Sequence, residues 1–309
     1  MIEIKNISKS YGKTVSIDDF SYSFDKSRVY GIVGAKNAGK SSLLKILAGC
    51  IAQNDGSVII NKLELKKYLR KNCLGYMPED LAIDNGLTVE EYLNFSAEIK
   101  GAAKKKNTAK EADKNIDNDF DNDFDNEIAG NRLIKKLSDK EKKLVLFKQA
   151  LIGNPEVIIL DEPMKGLDIE HLDQIKKTIN SVKTGKSIII SSSSLGEISS
   201  VCDEILIIAN GKLIAHDTPD NLKNIYGDTE EIVISIVGKV DKATSLLRKI
   251  PEVKKAEGIG KDSDGHNRIR IVYVPERDIN EIITSILAEK KIVVAEIIKK
   301  EASFEDIEE

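Results

Sequence analysis

The sequence predicts an α/β domain built on a parallel sheet, followed by a smaller α+β unit. Three observations carry that expectation. The stretch Gly34-Ala35-Lys36-Asn37-Ala38-Gly39-Lys40-Ser41 lies between an apolar run at 29–33 and a helical run at 42–47. Val157, Ile158, Ile159 and Leu160 form a continuous apolar run ending in Asp161 and Glu162, the pattern of a strand buried on both faces of a parallel sheet. At 309 residues the chain exceeds the usual size of one hydrophobic core, so two domains are expected.

The glycine-containing stretch has the chemistry of a phosphate-binding loop. Successive backbone N–H groups curl round an anion, the following helix aims its positive N-terminus at the same point, and Lys40 adds a charge that bridges β- and γ-phosphates. The Ser41 hydroxyl is then placed to ligate Mg²⁺. Gly34 and Gly39 leave room that a Cβ would fill, and Asn37 stands where many such loops carry a further glycine, in a position that asparagine tolerates.

Composition sets outer bounds. A formal charge of −4 and a pI near 5.7 give no general electrostatic reason to seek nucleic acid or anionic lipid. Cys50, Cys73 and Cys202 are widely spaced with no CxxC, which argues against a disulfide framework or zinc site and is expected of small buried residues in a reducing compartment. No apolar run approaches the roughly 18 residues that span a bilayer, and the N-terminus begins an amphipathic strand without signal-peptide character. Any membrane part is therefore expected from another chain.

In chain order, residues 1–33 alternate apolar and polar through Ile2, Ile4, Ile17, Phe20, Tyr22 and Phe24, with turns at Tyr11-Gly12 and Asp25-Lys26, and are expected to form strands. Tyr11, in a connection ahead of the phosphate loop, is of a type that can stack on a nucleobase, although by position alone it reads as a plain loop tyrosine. Strands are expected at 56–61 and 73–77, the latter running into Pro78-Glu79-Asp80. From Leu87 the pattern is helical, with Thr88 as N-cap, Glu91 completing a capping box, and Tyr92, Phe95 and Ile99 on one face. Residues 100–114 are basic, and Asp117, Asp119, Asp121, Asp123, Asp125 and Glu127 then alternate. Their DxDxD spacing is not a calcium loop, because the sixth position is Asn122 rather than glycine and the twelfth is not glutamate; a solvated segment is expected.

Leu137-Ser138-Asp139-Lys140-Glu141 opens a helical run to Leu151, Asn154-Pro155 end it, and the buried strand to Asp161 and Glu162 follows. Ligands of open α/β sheets bind beyond the carboxyl ends of the strands. Asp161 is therefore expected to hold Mg²⁺ and Glu162 to polarise an attacking water. A turn at Gly166-Leu167-Asp168, a helix and a further buried strand at 187–191 complete this part. From 228 the expected order is strand 232–237, helix 242–249, strand 253–259, a hairpin turn at Asp264-Gly265, strand 269–274, helix 279–290 and strand 293–298. That βαββαβ order predicts a ferredoxin-like arrangement with no catalytic constellation, and His266 is expected to be solvated.

With these pieces assembled, residues 1–227 resemble the ATP-binding subunits of ABC transporters, a P-loop NTPase fold with an inserted helical subdomain at about 87–137. Tyr11 corresponds to the aromatic A-loop, Gly34 to Ser41 to the Walker A loop with Ser42 behind it, VIILDE to the Walker B strand with its catalytic glutamate, and Gly166-Leu167-Asp168 to the D-loop. Glu79 falls at the Q-loop position, whose side chain lies near the metal. LGYMPE with LTVEEYLNF is similar to the ABC-2 exporter branch, and residues 228–309 are similar in order to the small domain attached to many exporter ATPases of that branch.

The resemblance implies MgATP sandwiched between two such domains, as homo- or heterodimer. Each site would be completed by the partner's LSGGQ loop, with Ser138 meeting the γ-phosphate. It also implies a separate integral-membrane permease, a location on the cytoplasmic face of the membrane, and no nucleic-acid partner. Two departures bear on turnover. The loop reads LSDKE, so Asp139 and Lys140 replace both glycines and Glu141 the glutamine; and Ser193 stands at the position of the switch histidine. Loss of one transition-state donor costs about 10² to 10³ in rate, so slow hydrolysis is expected of the chain paired with itself. Alternatives are a nucleotide-binding regulatory protein with little turnover and a soluble ABC ATPase acting on nucleic acid or cofactor assembly. For the C-terminal unit, a dimerisation or spacing module is favoured over a ligand-binding one.

Overall fold

The computed structural model describes residues 1–81, 83–101, 129–226, 230–274 and 279–300. The acidic run at 117–127 and most of the basic run before it lie outside the described residues. In order, the chain forms β1 (Ile2–Tyr11), β2 (Thr14–Phe24), β3 (Arg28–Val33), α1 (Lys40–Leu47), β4 (Asp55–Ile60), β5 (Leu63–Glu64), α2 (Leu65–Leu69), β6 (Gly75–Met77) and α3 (Val89–Ile99). It continues through α4 (Asp139–Leu151), β7 (Val157–Leu160), α5 (Ile169–Val182), β8 (Ser187–Ser192), α6 (Leu195–Ile198), β9 (Glu204–Ala209), β10 (Lys212–Asp217) and α7 (Pro219–Tyr226). The last elements are β11 (Glu230–Val237), α8 (Val240–Leu247), β12 (Val253–Lys261), β13 (Asn267–Tyr273), α9 (Ile279–Glu289) and β14 (Val293–Lys300). Contacts divide the chain into two compact units, Met1–Pro219 and Asp220–Glu309.

In the first unit, strands β10-β9-β3-β8-β7-β6 form one sheet, parallel from β9 to β6 with β10 added antiparallel. Every residue of β7 and β8 is buried. Alternate side chains serve different faces: Ile159, Ile189, Leu206 and Ile208 join a core cluster with Ile2, Ile4, Phe20, Leu43, Leu47 and Ile60, while Ile158, Ile188, Ile190 and Ile207 are equally buried outside it. Two apolar faces explain why these strands are runs of isoleucine rather than alternating patterns. Each full burial of such a side chain contributes roughly 1.5–3 kcal/mol. A second, antiparallel sheet, β2-β1-β4-β5, supplies the opposite wall of that core.

The second unit carries the antiparallel sheet β12-β13-β11-β14 with α8 and α9. Ile232, Ile234, Ile236, Ile269 and Ile271 from the central strands pack with Ala243, Leu247, Ile283 and Leu287 from the helices.

Several local expectations need correction. Helix α1 begins at Lys40, two positions before the expected start at 42. Strand β6 is confined to Gly75–Met77. Phe95 and Ile99 share a face of α3 as expected, and that face is an outward one, with the two residues 56% and 70% exposed. Cys50 is exposed and Cys73 partly so, leaving Cys202 as the buried cysteine. His266 is not simply solvated: its ring lies 3.4 Å from Asp262 Oδ2, and Asp262 Oδ1 also accepts its N–H at 2.8 Å.

The capping box of α3 is formed. Thr88 Oγ1 accepts the Glu91 N–H at 3.2 Å, and the Glu91 carboxylate accepts the Thr88 N–H at 2.8 Å. Thr88→Ala should therefore lower stability by about 1 kcal/mol, read as a fall of roughly 2–4 °C in the melting temperature of the first unit.

Candidate functional site

The loop after β3 is shaped by close backbone approaches. A Cβ on Gly34 would lie 2.2 Å from the Ile208 carbonyl oxygen, and one on Gly39 would lie 2.3 Å from that of Ser16. Gly39 also has φ +106° and Asn37 φ +70°, so the loop passes twice through conformations that ordinary side chains resist. The Leu43 N–H donates to Gly39 O at 3.0 Å, starting α1 from the glycine itself. Ala35 is half-buried, Lys36 and Asn37 are exposed, and Ala38 is buried. Lys40 is 7% exposed; its ammonium donates to Gly34 O at 2.6 Å and Ala35 O at 3.1 Å, and lies 3.6 Å from Glu162 Oε1.

Opposite the loop, the carboxyl end of β7 delivers two buried acids. Ser41 Oγ donates to Asp161 Oδ1 at 3.2 Å, and Ser191 Oγ donates to the same oxygen at 2.6 Å. Ser191 Oγ also accepts the Glu162 N–H at 2.9 Å. Asp161 is 0% and Glu162 4% exposed, and Asp161 Oδ2 and Glu162 Oε2 are buried without a hydrogen-bond partner. Burial raises both carboxyl pKa values; Ser191 and Ser41 oppose the rise at Asp161, and Lys40 and Lys165 oppose it at Glu162.

Orphaned carboxylate oxygen beside a serine hydroxyl suits a hard divalent cation that takes its remaining ligands from phosphate and water. Among the described residues no group of three or more His, Cys, Asp or Glu side chains forms a self-sufficient metal cage. The residues thus fit Mg²⁺ shared with a phosphate chain.

The other sequence-predicted residues fall around this centre. Ser42 Oγ accepts from Ser16 Oγ at 2.8 Å and lies 3.4 Å from Tyr11 Oη. Tyr11 is 51% exposed, with Lys9 Nζ 5.3 Å from its ring centroid. Glu79 follows β6, the strand beside β7, and pairs with Lys165 at 3.3 Å rather than with Ser41 or Asp161. Ser193 is the first residue past β8 and is half-buried; before it, Ser192 Oγ donates to Glu197 Oε2 at 2.6 Å. Ser138 caps α4, its Oγ accepting the Glu141 N–H at 3.3 Å while the Glu141 carboxylate accepts the Ser138 N–H at 2.7 Å. Arg132 donates to the same carboxylate. Lys140 Nζ pairs with Asp168 Oδ2 at 3.1 Å.

Two residues of the site were missed in the sequence. Ser191 bridges both acids, and Lys143, 8% exposed, donates from α4 to Glu162 O at 3.0 Å and Lys165 O at 2.5 Å. A lysine four positions before Phe147, on the buried side of a helix, was the available signal.

Residues 17–165 match the family model described as ABC transporter. An uncharacterized ABC transporter ATP-binding protein of Methanocaldococcus jannaschii is 29% identical over 253 residues, 81% of this chain and 87% of that protein. The linearmycin resistance ATP-binding protein LnrL of Bacillus subtilis is 26% identical over 292 residues, 94% of this chain and 90% of that protein. The dimeric post-hydrolysis structure of the ATP-binding cassette MJ0796, bound to ADP and Pi, is similar in fold, with a TM-score of 0.61 at 18% identity over 71% of this chain and 99% of its own. In fold, in the geometry of the loop and in sequence the chain is thus similar to ABC transporter ATP-binding proteins.

Asp168 is held well below the usual carboxylate range, at about 2, first by a hydrogen bond to the His171 ring, then by the His171 N–H and Lys140. A depressed carboxyl pKa stabilises the fold above the unfolded value, near 4, and that contribution is lost as pH falls through the folded one. A carboxyl-carbon NMR titration of Asp168 should therefore show its midpoint near 2, and Lys140→Ala should raise it.

Proposed function

We propose that this chain is the ATP-binding subunit of an ABC-2-type exporter, which binds MgATP and couples its hydrolysis to transport by a separate integral-membrane permease. The observation that carries the nucleotide part is the meeting of Lys40, Ser41, Asp161 and Glu162 across one crevice within hydrogen-bonding or ion-pairing distance. The exporter part is supported by similarity to LnrL along nearly the whole chain. No helix among the described residues is long and apolar enough to cross a membrane; in this reading the permease does so, and docking to it would hold the chain on the cytoplasmic face.

In this reading the amides of residues 34–41 and the N-terminus of α1 receive the β-phosphate. Lys40 leaves the carbonyls of Gly34 and Ala35 for the β- and γ-phosphates, exchanging neutral acceptors for charged ones. Ser41 and Asp161 would hold Mg²⁺, with Glu79 nearby. The metal supplies Lewis-acid neutralisation of the phosphate oxygens. Glu162, parted from Lys40, accepts a hydrogen bond from the attacking water and orients it along the P–O axis. Tyr11 offers its ring to adenine. Ser138 of a second domain completes the site, in a homodimer or in a heterodimer whose partner carries an intact LSGGQ loop.

Domain limits of 1–227 and 228–309 accompany this reading. A ferredoxin-like fold for the second unit is supported by its strand order, in which each βαβ crossover skips one strand of an antiparallel sheet. A regulatory role with little turnover is favoured by one observation: Lys140 and Glu141 of the LSDKE loop are engaged within their own chain.

Calorimetry should show uptake of MgATP, weakened at least about tenfold in Lys40→Ala. Back-substitution of Asp139 and Lys140 to glycine with Ser193→His should raise hydrolysis at least about tenfold if those positions limit it; an unchanged rate removes that account. Absence of stimulation by the permease, despite tight ATP binding, would favour the regulatory reading.

A further inference from the structure

Glu162 is held in a backbone conformation that its residue type disfavours. Its φ is +50°, in the left-handed region, which costs a non-glycine residue on the order of 1–2 kcal/mol and persists where the surroundings over-determine it. Here both sides of the residue are fixed by side chains of other elements. Its N–H donates to Ser191 Oγ from β8 at 2.9 Å, and its carbonyl accepts from Lys143 Nζ of α4 at 3.0 Å. The same ammonium reaches Lys165 O at 2.5 Å, so one buried cation holds both ends of the turn at 162–165. One helical turn earlier on α4, Lys140 holds Asp168 at 3.1 Å. The segment that leaves β7 is thus tied to α4 at three points.

An ammonium buried against two carbonyls carries a desolvation cost that the charges of Glu162, Glu197 and Glu79 offset only in part and that an apolar side chain at position 143 would avoid. Packing alone gives no reason for it. The orientation of Glu162 does, because the direction in which its carboxylate leaves the strand is set by the peptide planes on either side of its Cα.

We propose that Lys143 is a positioning residue for Glu162, fixing from α4 the left-handed turn that aims the carboxylate into the crevice. The proposal rests on the hydrolytic reading given above. Lys143→Met keeps the apolar stem and removes the donors. Its kcat for MgATP should fall at least about tenfold while KM stays within about threefold, and Lys143→Arg, which can donate to both carbonyls, should recover most of the loss. In nucleotide-free protein, amide hydrogen exchange across 163–168 should quicken about tenfold or more in Lys143→Met, with residues 35–43 unaffected.

A wild-type kcat in Lys143→Met overturns the proposal, as does a lowered kcat with unaltered exchange, or a loss that arginine does not recover. If Lys143→Met fails to fold, Lys143→Gln, with an amide donor on a shorter stem, serves the same comparison. A wild-type chain that binds MgATP without turning it over counts against the hydrolytic reading instead, and the exchange measurement then decides the clamp by itself.

Discussion

Two carboxylates buried side by side at the end of β7 set the terms for everything around them. The Lys40 ammonium at 3.6 Å from Glu162 offers roughly 4–5 kcal/mol of attraction at an effective dielectric near 20, against several kcal/mol of desolvation for each buried ion. Burial raises the pKa of each carboxyl, and the neighbouring hydroxyls and cations offset the rise only in part. The Ser41 and Ser191 hydroxyls do this at Asp161, and the charges of Lys40 and Lys165 at Glu162. They still leave Asp161 Oδ2 and Glu162 Oε2 without a partner. In the proposed function, an incoming metal–phosphate group would find acceptors already desolvated.

Sheet topology explains why these groups meet. In the order β3-β8-β7, the loop after β3 and the acids after β7 flank β8, whose Ser191 lies level with Ile32 of β3. A hydroxyl at the end of the middle strand can thus serve the acids on its neighbour. Parallel strands place all three ends on one edge, and the isoleucine-rich strands behind them, buried on both faces, leave that edge little freedom to shift. Site precision and core packing are here one property.

The same topology marks how far the sequence could be read. Residues 34–41 and 157–162 were legible because a phosphate loop and a buried strand ending in acids are local patterns; so was Thr88 with Glu91, four consecutive residues whose bonds close on themselves. Ser191 and Lys143 were not, since their roles depend on which strand lies beside β7 and which face of α4 turns toward it. Gly34 and Gly39 were singled out for the room a Cβ would fill, and part of the reason is the approach of the Ile208 and Ser16 carbonyls, which no local pattern contains. The outward face of α3 with Phe95 and Ile99 likewise reflects tertiary placement, because helical periodicity identifies a stripe and not the direction it faces.

The engagements of the LSDKE loop differ in how readily an anion could displace them. Lys140 and Asp168 are each about half exposed, and exposed pairs contribute only about 0–1 kcal/mol. A phosphate carrying more charge than one carboxylate would compete well for that ammonium. Glu141 is different: its carboxylate takes the Ser138 N–H and the Arg132 guanidinium together, and releasing it would uncap α4. Asp139 projects into solvent, its side chain 86% exposed, at the point where a second domain's phosphate would approach in the proposed dimer. If turnover in the proposed dimer is slow, the negative charge and bulk at position 139 are then the expected cause rather than the ion pair at 140, which yields at little cost.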